Sequence, residues 1–158
     1  AGGHSAFAPN SLTDFWEYDP SNDTWTQKQD LISPIDQGIS FALGNKGYVG
    51  LGNQSNSIYE YDLTSNQWLL KTTYPGNANA SAVAFVINNI AYLGTGLNAT
   101  QMGTKDFWQY SNNSWQPITD FPIEKSAASA FVINNKAYVG GGFIHSYGLV
   151  YDFWEFTP

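Results

Sequence analysis

Apolar residues in this chain come in short runs, each closed by glycine, asparagine or proline. Ile39–Leu43, Ala82–Ile87 and Ala127–Ile133 are rich in Val, Ile and Phe, which is the composition of strands rather than helices. Each is followed by a tight polar turn, at Gly44-Asn45-Lys46, Asn88-Asn89 and Asn134-Asn135. Asn tolerates positive φ, so these read as hairpin turns. A second run then ends on glycine: Gly47–Gly50, Ile90–Gly94 and Lys136–Gly140. A third carries acid and aromatic residues: Asp14–Tyr18, Ser57–Tyr61, Asp106–Tyr110 and Asp152–Phe156. A fourth begins near a tryptophan: Thr24–Thr26, Gln67–Leu70 and Ser114–Ile118. The first runs are apolar at consecutive positions, as in Ala82-Val83-Ala84-Phe85-Val86-Ile87. A strand with one wet face would alternate, so these strands are expected to be covered on both faces.

The runs recur in phase. Tyr18 is followed by Trp25, Tyr61 by Trp68 and Tyr110 by Trp115, and glycines precede each set at Gly2-Gly3, Gly50-x-Gly52, Gly94-x-Gly96 and Gly140-Gly141-Gly142. The last glycines fall at 3, 52, 96 and 142, giving a period of 49, 44 and 46 residues. Asp-Phe-Trp repeats at 14–16, 106–108 and 152–154. A period in this range, with four strands per repeat, predicts face-to-face stacked antiparallel sheets, the arrangement of a propeller.

The glycine set, Tyr-Asp and Trp in this order and spacing resemble kelch repeats, over the whole chain. Asp-Phe-Trp-Glu-Tyr-Asp-Pro, Asn-Asp-Thr-Trp and Asn-Lys-Gly-Tyr-Val-Gly are most similar to the secreted and surface kelch proteins of bacteria. The Arg common ahead of the first strand in animal repeats is absent, with only Lys125 near that place. The resemblance implies an all-β fold of four-stranded blades. Repeats are expected at approximately 1–35, 36–76, 77–122 and 123–158, the first a partial blade and the last lacking its fourth strand. That makes about 3.4 repeats and thirteen strands of an incomplete ring. The remaining blades are expected from a longer chain or from a second copy.

Composition narrows the function. Lysines number six against thirteen acids, for a net charge of −7, and there is no arginine. A phosphate-binding surface needs clustered cations, so nucleic acid is not an expected partner. No apolar stretch approaches the roughly 18 residues of a membrane-spanning helix, so membrane insertion is not expected. Cysteine is absent, which removes disulfides, thiolate metal sites and a cysteine nucleophile. Low charge with abundant Asn, Ser and Thr suits an exported bacterial protein, placing it in the extracellular space, at the cell surface or in the periplasm.

No chemical constellation emerges. Gly140-Gly141-Gly142 lacks the following helix and Lys-Ser/Thr of a phosphate loop. Asp19-Pro20-Ser21-Asn22-Asp23 resembles a calcium loop only in its alternating oxygens and reads as a turn. Glu17, Glu60 and Glu155 recur along third strands rather than converging. Kelch-type copper oxidases use a Cys-crosslinked Tyr that this chain cannot form. No catalytic residue, metal or cofactor is assigned. Asn-x-Ser/Thr occurs at Asn22, Asn53, Asn79, Asn98 and Asn112, all in expected turns or loops.

Loops vary where strands do not. The connections from second to third strand, His4–Thr13, Leu97–Lys105 and Phe143–Tyr151, are about ten residues long, against the short Asn53–Asn56. Function on a repeat scaffold usually lies in such loops. The expected ligand-binding set is His4, Phe7, Asn10, Asn98, Gln101, Met102, Phe143, His145 and Tyr147. Tyr74, Asn77 and Asn79 join it from a fourth-to-first connection that strand parity places on the same face. The functional expectation is a non-catalytic binding module for protein or glycan. The family also hosts sugar oxidases and sialic-acid isomerising enzymes, and a structural subunit of a surface assembly is a third class.

Overall fold

The computed structural model describes residues 1–5 and 12–158; Phe7 and Asn10 of the expected binding set lie outside the described residues. Each repeat folds as the pattern demands. The partial first blade pairs β1 (Trp16–Asp19) with β2 (Thr24–Gln27). The second blade is β3 (Ile39–Leu43), β4 (Lys46–Gly50), β5 (Ser57–Asp62) and β6 (Gln67–Thr73), hydrogen-bonded in that order. The third is β7 (Val83–Ile87), β8 (Ile90–Gly94), β9 (Phe107–Ser111) and β10 (Ser114–Ile118). The fourth contains β11 (Ser129–Ile133) and β12 (Lys136–Gly140). Its third strand is β15 (Phe153–Phe156), reached through a short hairpin of β13 (Phe143–Ile144) and β14 (Gly148–Leu149). All pairings are antiparallel. The thirteen expected strands are present, no helix forms among the described residues, and the sheets do not close a ring. The two extra strands fall inside Phe143–Tyr151, which is therefore a tied hairpin rather than an open loop.

Turn chemistry explains the registers. Asn88-Asn89 and Asn134-Asn135 both carry two positive φ angles, 51° and 60°, then 50° and 59°, as the tight mirror-image turn of a hairpin requires. Asn112-Asn113, with φ of 50° and 59°, makes the same turn between β9 and β10. Its compactness accounts for the shortened Tyr110-to-Trp115 spacing.

The first strands stand side by side, β3 against β7 and β7 against β11, so they line the inner edge of the arc. Val83, Phe85 and Ile87 on one face of β7 pack with Tyr92, Phe107, Ala137 and Val139. Half-buried Ala84 and Val86 on the other face pack against the cluster of Ile39, Tyr48, Ile58 and Tyr74. Both faces are thus covered, as the unbroken apolar run demands. β11 differs: Phe131 and Ile133 are exposed, because no further blade lies over that face among the described residues.

A repeated aromatic clasp ties third strand to fourth. Tyr18 lies opposite Trp25, Tyr61 opposite Trp68 and Tyr110 opposite Trp115, with ring centroids 5.0, 5.0 and 4.8 Å apart. Each tyrosine hydroxyl donates to the turn residue two before the tryptophan: to Asp23 at 2.9 Å, Asn66 at 2.8 Å and Asn113 at 3.4 Å. Those acceptors all adopt left-handed φ, at 56°, 53° and 59°, which Asp and Asn tolerate better than most residues. In the inner blades the tryptophan also joins its own blade to the chain before it, in the linker after β2 for Trp68 and in β6 for Trp115. Trp68 Nε1 donates to Gln29 O at 3.0 Å, and Trp115 Nε1 to Thr72 Oγ1 at 3.3 Å. Trp68 is buried whereas Trp25 is 65% exposed, so the clasp forms locally and blade stacking then covers it.

Candidate functional site

The second-to-third and fourth-to-first connections meet on one face through backbone bridges. Ala80 bridges Leu97, Thr104 bridges Lys125, and Ser126 bridges Phe143. Glycines permit this approach. Gly52 and Gly96 have φ of 76° and 105°, and a Cβ on them would meet Asp36 O at 2.3 Å and Ala80 O at 2.6 Å. Their N–H groups donate to Asn79 O and Lys125 O, both at 2.7 Å. The glycine set is a three-residue unit. Leu51 and Thr95, which interrupt the pairs in sequence, hold the middle place with φ of 53° and 54°, where the fourth unit has Gly141 at 66°.

At the inner rim the same backbone position recurs from blade to blade. Ser81 N donates to Gln37 O at 2.7 Å, and Ala127 N to Ser81 O at 2.9 Å. All three residues are left-handed, with φ of 57°, 52° and 54°. This chain of bonds ties successive blades near the axis and turns the Gln37 segment toward the loop face.

Two polar cavities open there. The first, of about 220 Å³, is lined by Asp36, Gln37, Asn53, Gln54, Ala80 and Gln101. Its four amide residues are all left-handed, with φ of 57°, 47°, 62° and 63°, a conformation uncommon outside glycine and concentrated where a site is built. His4 adjoins it through Asp36, with Nδ1 3.9 Å from the carboxylate. The second cavity, of about 260 Å³, includes Asn77, Asn98, Thr104, Lys105, Asp106 and Glu124 in its lining. Buried Thr104 Oγ1 and Asp106 Oδ1 have no hydrogen-bond partner. Among the described residues no three His, Asp or Glu side chains are grouped so as to hold a metal ion.

The expected residues divide accordingly. Gln101 lines the first cavity, and Asn77 and Asn98 the second. Asn98 is largely occupied with its own loop: Oδ1 accepts from Thr100 N at 2.9 Å, Thr100 Oγ1 at 2.8 Å and Met102 N at 3.0 Å. That turn presents Gln101 and exposed Met102. Phe143, His145 and Tyr147 are exposed on the β13–β14 hairpin and line neither cavity.

Tyr74 requires a correction, because it is wholly buried and presents no surface to a ligand. Its ring packs edge-on to Trp115 at 5.2 Å. Burial, with the nearby charge of Asp106, pushes its hydroxyl far above the ordinary tyrosine value. Asn79 is also buried, its amide placed to donate to Leu97 O and accept from Ala99 N. Both hold the connection down rather than presenting it. Asp36, Gln37, Gln54 and Asp106 were not in the expected set. The signal for the first three is position, just before a first strand or just after the glycines, and for Asp106 it is the recurring Asp-Phe-Trp that leads into a third strand.

Lys125, the sole cation near the place of the missing Arg, is fully buried. Its Nζ reaches Asp152 Oδ1 at 2.5 Å and Gly141 O at 3.1 Å, and lies 5.2 Å from the Phe121 ring centroid. Burial pushes the Asp152 carboxyl up, but hydrogen bonds from Lys125 and Trp154 outweigh it and hold the group below its ordinary value. Asp106 has Trp108 Nε1 on its other oxygen at 3.0 Å, as Asp152 has Trp154 at 2.7 Å, but no lysine.

Comparison with known proteins agrees with this architecture. The pattern of the Kelch motif family matches residues 1–31. The chain is 31% identical over 97 residues to N-acetylneuraminate epimerase of Haemophilus influenzae strain PittEE, and equally to that of strain 86-028NP. Each alignment covers 56% of this chain and 26% of the relative. The solved structure titled "Structure of YjhT" superposes with a TM-score of 0.62 at 26% identity, over 73% of this chain and 36% of that one. The chain thus spans about a quarter to a third of these relatives. The phased repeats, the antiparallel blades and these likenesses together give this chain a Kelch motif at residues 1–31 and the all-β blade architecture of kelch-type propellers.

Proposed function

We propose that this chain is a ligand-binding part of an exported or cell-surface kelch propeller, and that its loop face takes a polar ligand of the carbohydrate class. The observation that carries this reading is the convergence of Gln37, Asn53, Gln54 and Gln101, all left-handed, on one cavity. Amides both donate and accept hydrogen bonds, as hydroxyl and acetamido groups do. Asp36 adds an acceptor and His4 stands at the margin. The curated relatives carry the name of an enzyme acting on N-acetylneuraminate, which supports a sugar ligand and makes a carbohydrate-converting propeller the second reading.

N-acetylneuraminate titrated into the protein by NMR tests both. Saturable shifts confined to the amides of Gln37, Gln54 and Gln101 are expected, with Gln101→Ala weakening binding at least about fivefold, the loss of roughly one hydrogen bond. Replacing Asn134-Asn135 by Asp-Gly on the opposite face should leave binding unchanged. Loss with the turn variant and retention with Gln101→Ala would assign the wrong face. Conversion of the sugar during the titration would favour the enzyme reading.

A further inference from the structure

We propose that the second loop-face cavity holds a small monovalent cation against Asp106, either an alkali-metal ion or the primary ammonium of a ligand, in the place that Lys125 fills against Asp152 one blade on. This site is separate from the amide cavity of the sugar reading and does not depend on it.

Asp106 and Asp152 occupy the same place in successive blades. Each opens an Asp-Phe-Trp run that leads into a third strand, β9 or β15. Each accepts at Oδ2 from the tryptophan two residues on, at 3.0 and 2.7 Å. Each main-chain carbonyl accepts from the middle residue of a glycine unit, from Thr95 N at 3.2 Å and Gly141 N at 3.0 Å. The remaining oxygen separates them. Asp152 Oδ1 takes the Lys125 ammonium, which also donates to Gly141 O. Asp106 Oδ1 is buried and has no partner. The third blade lies between two others, so these are the surroundings of an interior blade.

The chain places a different residue where the ammonium would come from. Gly52 N donates to Asn79 O and Gly96 N to Lys125 O, both at 2.7 Å. The next residues, Ala80 and Ser126, bridge Leu97 and Phe143 in turn. Asn79 therefore stands where the following blade has Lys125. Its side chain is shorter, and its amide is turned to Leu97 O and Ala99 N. Lys105, the neighbour of Asp106 in sequence, is exposed and pairs with Asp120 at 3.6 Å.

The surroundings suit a cation. Asp106, Asp120 and Glu124 stand in the cavity lining against Lys105 alone. Thr104, only 7% exposed, is in the same lining, and its Oγ1 has no partner. Thr95, wholly buried in the place of Gly141, has an unpartnered hydroxyl as well. The bonds from Thr95 N to Asp106 O and from Thr104 N to Gly96 O, at 2.8 Å, hold these residues side by side. The unpartnered atoms are thus all oxygens, one of them a carboxylate's. Oxygens of this kind serve an alkali-metal ion or an ammonium group alike, and a buried carboxylate oxygen left unpaired is costly. Among the described residues no three His, Asp or Glu side chains are grouped to hold a metal ion, so one charge is matched better than two. The cavity of about 260 Å³ exceeds the roughly 30 Å³ of one water and leaves room for a ligand that carries the ammonium.

The test follows the backbone amides of the protein by NMR, with the melting temperature alongside, at fixed ionic strength and with chloride throughout. Potassium, sodium, ammonium and methylammonium are compared with tetramethylammonium, whose bulk and lack of N–H bar it from the place of Lys125 Nζ. Saturable shifts centred on Thr95, Thr104 and Asp106 are expected, with a melting temperature that rises as the bound cation stabilises the fold. Saturation by potassium or sodium assigns an alkali-metal ion, and saturation by ammonium or methylammonium assigns the ammonium of a ligand; either carries the proposal. Asp106→Asn keeps an acceptor for Trp108, removes the charge and should weaken the response at least about tenfold. Asn79→Lys should supply the ammonium from within the chain and abolish the response. Shifts that do not saturate, or that tetramethylammonium reproduces, mean that water and general screening serve these oxygens, and they overturn the proposal. A response that Asp106→Asn keeps in full, or that a folded Asn79→Lys keeps, overturns it too.

Discussion

Replacing Lys125 by Met should destabilise the chain by about 2–4 kcal/mol at neutral pH. The side chain is fully buried, and its ammonium is shared between Asp152 and Gly141 O. Removing one partner of a fully buried ion pair costs about 3–5 kcal/mol, because the other charge is left without compensation. Asp152 keeps 28% of its side chain exposed, so water takes over part of that role and lowers the cost. Loss of the cation over Phe121 adds about 0.5–1 kcal/mol, while Met preserves most of the apolar stem. The assay is urea unfolding of both proteins from neutral pH downwards. The folded-state carboxyl of Asp152 lies below its unfolded value of 3.8, so its stabilisation is present above that pH and disappears as pH falls through the lowered value. The gap between parent and variant should therefore narrow in acid. A gap under about 0.5 kcal/mol at pH 7, within the scatter of ordinary surface substitutions, would refute the reasoning, as would a large gap that stays constant into strong acid.

Trp68→Ala should cost about 3–5 kcal/mol in the same unfolding assay, because a large buried aromatic leaves a cavity between blades. Gly96→Ala should lower the melting temperature through a loss of about 2–3 kcal/mol, since φ of 105° is foreign to alanine and the new Cβ meets Ala80 O. Asp62→Asn should flatten the acid limb of a stability–pH profile. Hydrogen bonding by Lys46, followed by the N–H groups of Ser65 and Thr64, holds the Asp62 carboxyl down to about 2. The parent therefore gains stability above the ordinary 3.8 and loses it as pH falls toward 2, and the variant lacks that slope.

How far these properties could be read in advance depends on whether side chains or backbone carry them. Strands, turns and the tyrosine–tryptophan clasp were legible because each needs a particular side chain at a fixed phase: Asn at positive φ, Tyr reaching a turn acceptor, Trp closing on the chain before it. The chain of backbone bonds through Gln37, Ser81 and Ala127 was not legible. It uses only N–H and C=O, so three unlike residues serve equally. Tyr74 was misplaced for the converse reason. Strand parity correctly puts its connection on the loop face, but parity says nothing about depth. Leu31, Tyr74 and Phe121 recur in phase as apolar residues, and that recurrence marks an inter-blade plug rather than a ligand platform.

The same distinction bears on where a ligand site can arise. A residue that recurs in every blade is committed to stacking, as the buried Tyr61 and Tyr110 are. The places free to diverge are those where the backbone has already supplied the inter-blade bond. Gln37 meets this condition in its main chain, since its carbonyl accepts Ser81 N; its side-chain Oε1 also accepts from Ser81 Oγ at 3.1 Å, a bond that Ala127, with no hydroxyl, does without at the next place. Gln101 meets it too, because Asn98 closes the loop beneath it. The cavity thus joins amides whose side chains also brace the fold, Gln37 to Ser81 Oγ and Asn53 to Pro34 O, with Gln54 and Gln101, which complete its amide lining.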